Sequence, residues 1–168
     1  MIQNDERRDD DSTQKMTGLE KRWVLYDVGN SAFTLLITTI LPIYFNALAE
    51  AAGLTSAEYL AFWGYAASFV TVVVAVLGPT LGAVADLPGM KKKLFALCAA
   101  VGIAGCAVMG AVGHWVWFLG CFIIAKIGYS ASLVFYDAML PDVAAPERMD
   151  KVSSVGYAFG YAGSCIPF

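Results

Sequence analysis

Asp27, Asn30 and Thr34 share one long apolar run, Lys126 and Asp137 share another, and Asp86 stands between two more. These side chains can do chemistry in a setting that ordinarily excludes them. A carboxylate inside a desolvated span can exchange a proton or hold a substrate group. Asp27, Asn30, Ser31, Thr34 and Thr38 recur at helical spacing and make one stripe. Lipid would reject such a stripe, so it is expected to face other helices or a water-filled path. Lys126 is the sharper anomaly, because a lysine at mid-span costs about 2.5–3.5 kcal/mol on insertion scales. It calls for a carboxylate partner, a water-filled cavity or an anionic substrate. A structural ion pair with Asp27, or with an acid on another helix, is the competing reading. Lys126, Ser130 and Asp137 fall on one helical face, since eleven residues at about 100° each return almost to the starting angle. Asp27 and Asp137 each follow a tyrosine, Tyr26 and Tyr136. For both, proton coupling or substrate contact competes with a polar residue satisfied near the headgroups.

The elements that must position these residues are membrane helices. The chain has 168 residues, is 58% hydrophobic and only 15% charged, against about 25% charged in ordinary soluble domains. Its mean hydropathy is +0.63, so part of its solvent must be lipid. Spans are expected at about 23–48, 59–85, 94–112 and 115–140, with a fifth, incomplete one over 151–168. Pro42 is placed to kink the outer end of the first span. Thr55-Ser56-Ala57-Glu58 is a capping box that opens the second. Gly78 and Gly82 near its end have the small-residue spacing that lets helices approach closely, as do Gly102, Gly105, Gly110 and Gly113 in and after the third, and Gly156, Gly160 and Gly163 in the fifth. Trp115 and Trp117 suit an interfacial belt, and His114 beside them is expected to be interfacial rather than a ligand or base. Residues 1–22 are polar, without apolar periodicity, and are expected to form a disordered cytoplasmic tail. Ala47-Leu48-Ala49 has the look of a signal-peptidase site, but the apolar stretch before it is too long, the tail is acidic as well as basic, and further spans follow.

Orientation comes from the basic residues. Ten of the eleven lie in the tail (Arg7, Arg8, Lys15, Lys21, Arg22), in the 86–93 loop (Lys91, Lys92, Lys93) or in the 141–151 loop (Arg148, Lys151). The opposite loops have none, so the N-terminus and both basic loops are expected in the cytoplasm. Few basic residues and no interleaved aromatics exclude a nucleic-acid surface. Cys98, Cys106, Cys121 and Cys165 show no metal or disulfide spacing and are expected as buried small hydrophobes. No metal and no cofactor is expected. A membrane-embedded enzyme is the rival class, because two Tyr-Asp pairs resemble those of intramembrane aspartyl proteases. Those enzymes add a GxGD, which this chain lacks, as it lacks HExxH and any Ser/His or Cys/His pairing.

The segment Gly82-x-x-x-Asp86-x-x-Gly89-x-Lys91-Lys92 resembles the loop signature between helices two and three of the major facilitator superfamily. Leu87 and Met90 occupy places that are usually basic there, and Pro88 is additional. Residues 23–33 (WVLYDVGNSAF), 127–141 (IGYSASLVFYDAMLP) and 153–161 (SSVGYAFGY) resemble the vacuole effluxer-like branch, related to the autophagy-associated amino-acid effluxers. The resemblance covers nearly the whole chain beyond the tail. It implies an all-α membrane protein with a major facilitator-type helical bundle, of which this chain would supply the N-terminal four to five transmembrane helices. It further implies alternating access, a small-molecule substrate, the lipid bilayer and the missing C-terminal half as partners, and a cell (inner) membrane location. Gly82, Asp86, Gly89, Lys91 and Lys92 would form the gating segment, with Asp86 latching the N-terminal end of a helix in the other half. Asp27, Asn30, Thr34, Lys126 and Asp137 would line the substrate or proton path. A truncated, inactive transporter half is the alternative within the same class.

Overall fold

A computed structural model describes residues 15–87 and 89–165. All regular structure among the described residues is helical: α1 (Gly18–Ala51), α2 (Ser56–Ala85), α3 (Met90–Met109), α4 (Trp115–Ala138), the single turn α5 (Leu140–Val143), a 3-10 turn (Pro146–Arg148) and α6 (Met149–Ser164). The first four are 34, 30, 20 and 24 residues long and apolar enough to cross a membrane. At 1.5 Å per residue, twenty residues already span about 30 Å of hydrocarbon. α1 and α2 continue through Pro42 and Pro79 without breaking.

Contacts divide the chain into two compact units, one of residues up to 36 together with 140 onward, the other of residues 37–139. In the second unit α3 and α4 meet through glycine. A Cβ added at Gly105 would stand 2.8 Å from the Ala125 Cβ, and one at Gly128 would stand 2.9 Å from the Gly102 nitrogen. Only the missing side chains let these backbones approach so closely. α1, α2 and α4 are spaced by aromatic rings instead. Trp63 stacks on Phe122 at 4.4 Å between centroids, and Phe45 lies 5.4 Å from Trp63 and 6.2 Å from Phe118. Phe45 and Phe118 are fully buried there. The unit is therefore narrow where glycines face each other and wide where rings fill the gap.

In the first unit α6 lays Gly156, Gly160 and Gly163 on α1. A Cβ at Gly156 would meet the Trp23 ring at 2.9 Å, one at Gly160 would meet Ser31 Oγ at 2.6 Å, and one at Gly163 would collide with Val28. These positions are three and four residues apart, one face of a helix.

Several boundaries differ from the sequence reading. α1 starts at Gly18, so residues 18–22 belong to a helix rather than to a tail; residues 1–14 lie outside those described. The cause is a second capping box, in which Thr17 N–H donates to Glu20 Oε2 at 2.7 Å and Glu20 N–H donates to Thr17 Oγ1 at 3.2 Å. The box at Thr55 and Glu58 is present as expected. α3 starts at Met90, which draws the three lysines out of the loop and into its first turn. The fifth apolar segment is helical over Met149–Ser164, and residues 166–168 lie outside those described. Gly78, Gly82 and Gly113 make no close approach among the described residues, where a Cβ at any of them would meet nothing within 4 Å. The cysteines are free, and none of the four is fully buried.

Gly128→Ala in the full-length protein is expected to cost about 1–3 kcal/mol through overpacking against α3. Gly64→Ala, where a Cβ meets nothing within 4 Å, is expected to be neutral or to stabilise by up to about 1 kcal/mol. Thermal unfolding in detergent distinguishes the two, and equal midpoints would remove the close α3–α4 approach.

Candidate functional site

The polar stripe of α1 is not uniform once folded. Asp27 is buried at 8% exposure, while Asn30 is half-buried and Thr34 and Thr38 are exposed. Asn30 Nδ2 donates to Asp27 Oδ1 at 3.5 Å, a long bond, and Thr34 Oγ1 donates back to the Asn30 carbonyl at 3.2 Å. The other carboxylate oxygen looks onto bare backbone of α6, since a Cβ at Gly156 or at Gly160 would stand 3.3 Å from Asp27 Oδ2. Trp23, one turn earlier, covers the same crossing. The two glycines thus make room for a carboxylate where a side chain would otherwise sit. Asp27 is consequently desolvated by packing, with an amide of its own helix beside it.

An ion pair at the start of α1 was absent from the sequence reading. Glu20 is 2% exposed, and its Oε2 accepts from Arg148 Nη2 at 3.0 Å as well as from Thr17 N–H. Arg148 ends the 3-10 turn that leads into α6. The signal for Glu20 was present as Thr17-Gly18-Leu19-Glu20, the same T-x-x-E pattern as at Thr55. Its arginine partner, 128 residues away, carried no local signal.

The segment after α2 is a tight turn. Asp86 is the exposed C-terminal cap of α2, Leu87 N–H donates to the Val84 carbonyl at 3.1 Å, and Met90 N–H donates to the Leu87 carbonyl at 3.2 Å. Gly89 holds φ at +75°, a left-handed conformation that suits glycine. Cations in the first turn of α3 oppose its helix dipole. Lys91 answers this by reaching across to the end of α4, where its Nζ donates to the Ala138 carbonyl at 3.2 Å. There a cation is favoured, and an end-of-helix carbonyl gains a donor. Lys92 and Lys93 are exposed.

Lys126 is half-buried on α4, with its Nζ 4.9 Å from the centroid of the Tyr129 ring. Such a cation–π contact contributes about 0.5–2 kcal/mol, less than the mid-span cost of about 2.5–3.5 kcal/mol. Asp137 shares its face but is exposed near the helix end; eleven residues at 1.5 Å each separate the two by about 16 Å. The structure does not bring them together. His114 caps α4, its Nδ1 accepting from Val116 N–H at 3.3 Å, a role beyond the interfacial one expected. Trp117 is exposed and Trp115 packs on Phe62 at 5.0 Å. Among the described residues no three His, Cys, Asp or Glu side chains gather as a metal site would require.

Four spans long enough to cross a bilayer, with ionisable groups set inside them, define an integral α-helical membrane protein. The chain matches the family described as "Vacuole effluxer Atg22 like" over residues 19–154, and it belongs to that family. It is also similar to a protein of Bacillus subtilis (strain 168) named "Uncharacterized MFS-type transporter YxiO". The two are 39% identical over 158 residues, which is 92% of this chain and 37% of the relative. The chain thus spans little more than a third of that relative's length. No solved structure matches it. The all-α, major facilitator-type reading of the sequence blocks agrees with these findings.

Arg148→Ala in the full-length protein is expected to lower stability by about 3 kcal/mol, because it leaves the Glu20 carboxylate buried without its guanidinium. Pairing it with Glu20→Gln should recover part of that loss. Thermal unfolding of the two single variants and the double variant measures the coupling, and strictly additive losses would deny it.

Proposed function

We propose that this chain is the N-terminal portion of a secondary transporter for a small solute, working by alternating access. Efflux is the direction suggested by the family description, amino acids are the cargo that the resemblance of the sequence blocks implies, and the transporter class is supported by the name of the Bacillus subtilis relative. The observation that carries the reading is Asp27, a carboxylate buried against the glycine face of α6 inside an apolar helix. Ionisable groups placed in spans mark ion and substrate pathways. Secondary transporters set such sites between helices that rock against one another.

In this reading Asp27 is the proton-coupling group, Asn30 orients its carboxylate, and Thr34 extends the polar lining. Lys126 contributes a cation to the path, and Asp137 serves it near the end of α4. Asp86, exposed at the end of α2, is the latch: a carboxylate docked on a helix N-terminus gains about 0.3–1 kcal/mol, more when partly buried. Gly82 belongs to the same segment, Gly89 shapes its turn, and Lys91 ties that turn to α4. Lys92 meets the anionic headgroups of the cell membrane. The tail and both basic loops lie in the cytoplasm, following the distribution of Lys and Arg.

The test is uptake and efflux of an amino-acid panel in proteoliposomes holding the full-length protein, with and without a proton gradient. Asp27→Asn is expected to lower gradient-driven transport by about tenfold or more, equivalent to about 1.4 kcal/mol, while exchange without a gradient persists. Transport by Asp27→Asn equal to wild type at every pH would remove the coupling role.

A further inference from the structure

Lys126 stands eleven residues after the start of α4 and twelve before its end, so its ammonium leaves the backbone at mid-span. A cation at that depth requires an anion or water, and the fixed anions of its own unit are remote. The carboxylates of residues 37–139 are Glu50, Glu58, Asp86 and Asp137. Glu50 is at the end of α1, and Glu58 is in the first turn of α2, where it accepts from Thr55 N–H at 2.8 Å. Asp86 caps the other end of α2, and Asp137 is about 16 Å along the helix axis. What stands against the ammonium is the face of Tyr129, 4.9 Å from Nζ to the ring centroid. A ring face attracts a cation without neutralising it. Ser130, one turn beyond Lys126 on the same face, adds a neutral hydroxyl.

We infer that Lys126 is a substrate-recognition residue, its ammonium pairing with the carboxylate of a small zwitterionic or anionic solute while Tyr129 holds the lysine in place. The inference rests on the transporter reading above and names the chemical class of its cargo. One ammonium beside a neutral hydroxyl suits a singly charged carboxylate. A phosphate dianion would call for more positive charge, and among the described residues the interiors of α2, α3 and α4 carry no second cation. A lipid headgroup is out of reach, because each end of α4 is about 16 Å or more from Lys126.

The test uses full-length protein in proteoliposomes with L-amino acids and, in parallel, their carboxamides. Wild type is expected to take the acid in preference to its amide. Lys126→Met should lose about tenfold or more in apparent affinity for the acid with the amide unaffected, and Lys126→Arg should retain the preference. Without substrate, Lys126→Met should unfold at the wild-type temperature or above it, since a costly desolvated cation has been removed. Retained discrimination in Lys126→Met overturns the inference, as does a wild type that treats acid and amide alike. Loss of folding in Lys126→Met, or an unfolding temperature several degrees lower, assigns the lysine to a structural ion pair and overturns it as well. A wild type that moves no amino acid removes the amino-acid reading alone. The inference is then decided by thermal stabilisation of the detergent-solubilised protein by straight-chain monocarboxylates against their amides, and no stabilisation by any acid ends it.

Discussion

Hydrocarbon offers no hydrogen bonds, so every polar group carried into a span must find its partner within the protein, and most local features of this chain follow from that demand. Backbone groups are satisfied by making the spans continuous helices, and the helix ends by dedicated caps. Thr17 with Glu20 and Thr55 with Glu58 close the starts of α1 and α2, His114 closes the start of α4, and Lys91 serves its end. These devices come from different residue types, yet each supplies the donor or acceptor that a helix terminus lacks.

Against that background the unusual residues are the ones that local geometry does not dispose of. Glu20 is buried but doubly served, by its own capping box and by Arg148. Asp27 is buried with a long amide contact and a glycine surface in front of it. Lys126 has a ring beneath it. The first is accounted for as structure, because its partners balance its charge. Among the described residues the other two have no ion pair, and the proposed transport reading gives those charges a use.

Glycine decides where polar groups can be housed. In the second unit, facing glycines bring two backbones together and leave no volume for a side chain, so the α3–α4 contact is apolar and closed. In the first unit the same residue type is set against Trp23, Asp27 and Ser31, so the volume freed by α6 is filled by side chains of α1. One composition thus serves two ends. The difference lies in whether glycine meets glycine and alanine or meets a large or polar residue.

The spans, the capping box at Thr55, the Asp27 stripe and the oddity of Lys126 were all legible in the sequence, because hydropathy, cap spacing and helical periodicity are local properties. The family was legible for a similar reason: its motifs are contiguous blocks, and the match over residues 19–154 agrees with them. Which glycines pack was legible in part: Gly102, Gly105, Gly156, Gly160 and Gly163 make the close approaches expected of them. Gly78 and Gly82 have the spacing, yet a Cβ there would meet nothing within 4 Å among the described residues, whereas Gly128, which no spacing singled out, would bring a Cβ to 2.9 Å from the Gly102 nitrogen. The Glu20–Arg148 pair and the reach of Lys91 to Ala138 were hidden too, being contacts between residues 128 and 47 positions apart. The sequence by itself determined that the chain enters a bilayer and which polar residues it carries there. Only the tertiary structure decided which of them are matched by partners, because a partner is a matter of distance in space and the local pattern records distance only along the chain.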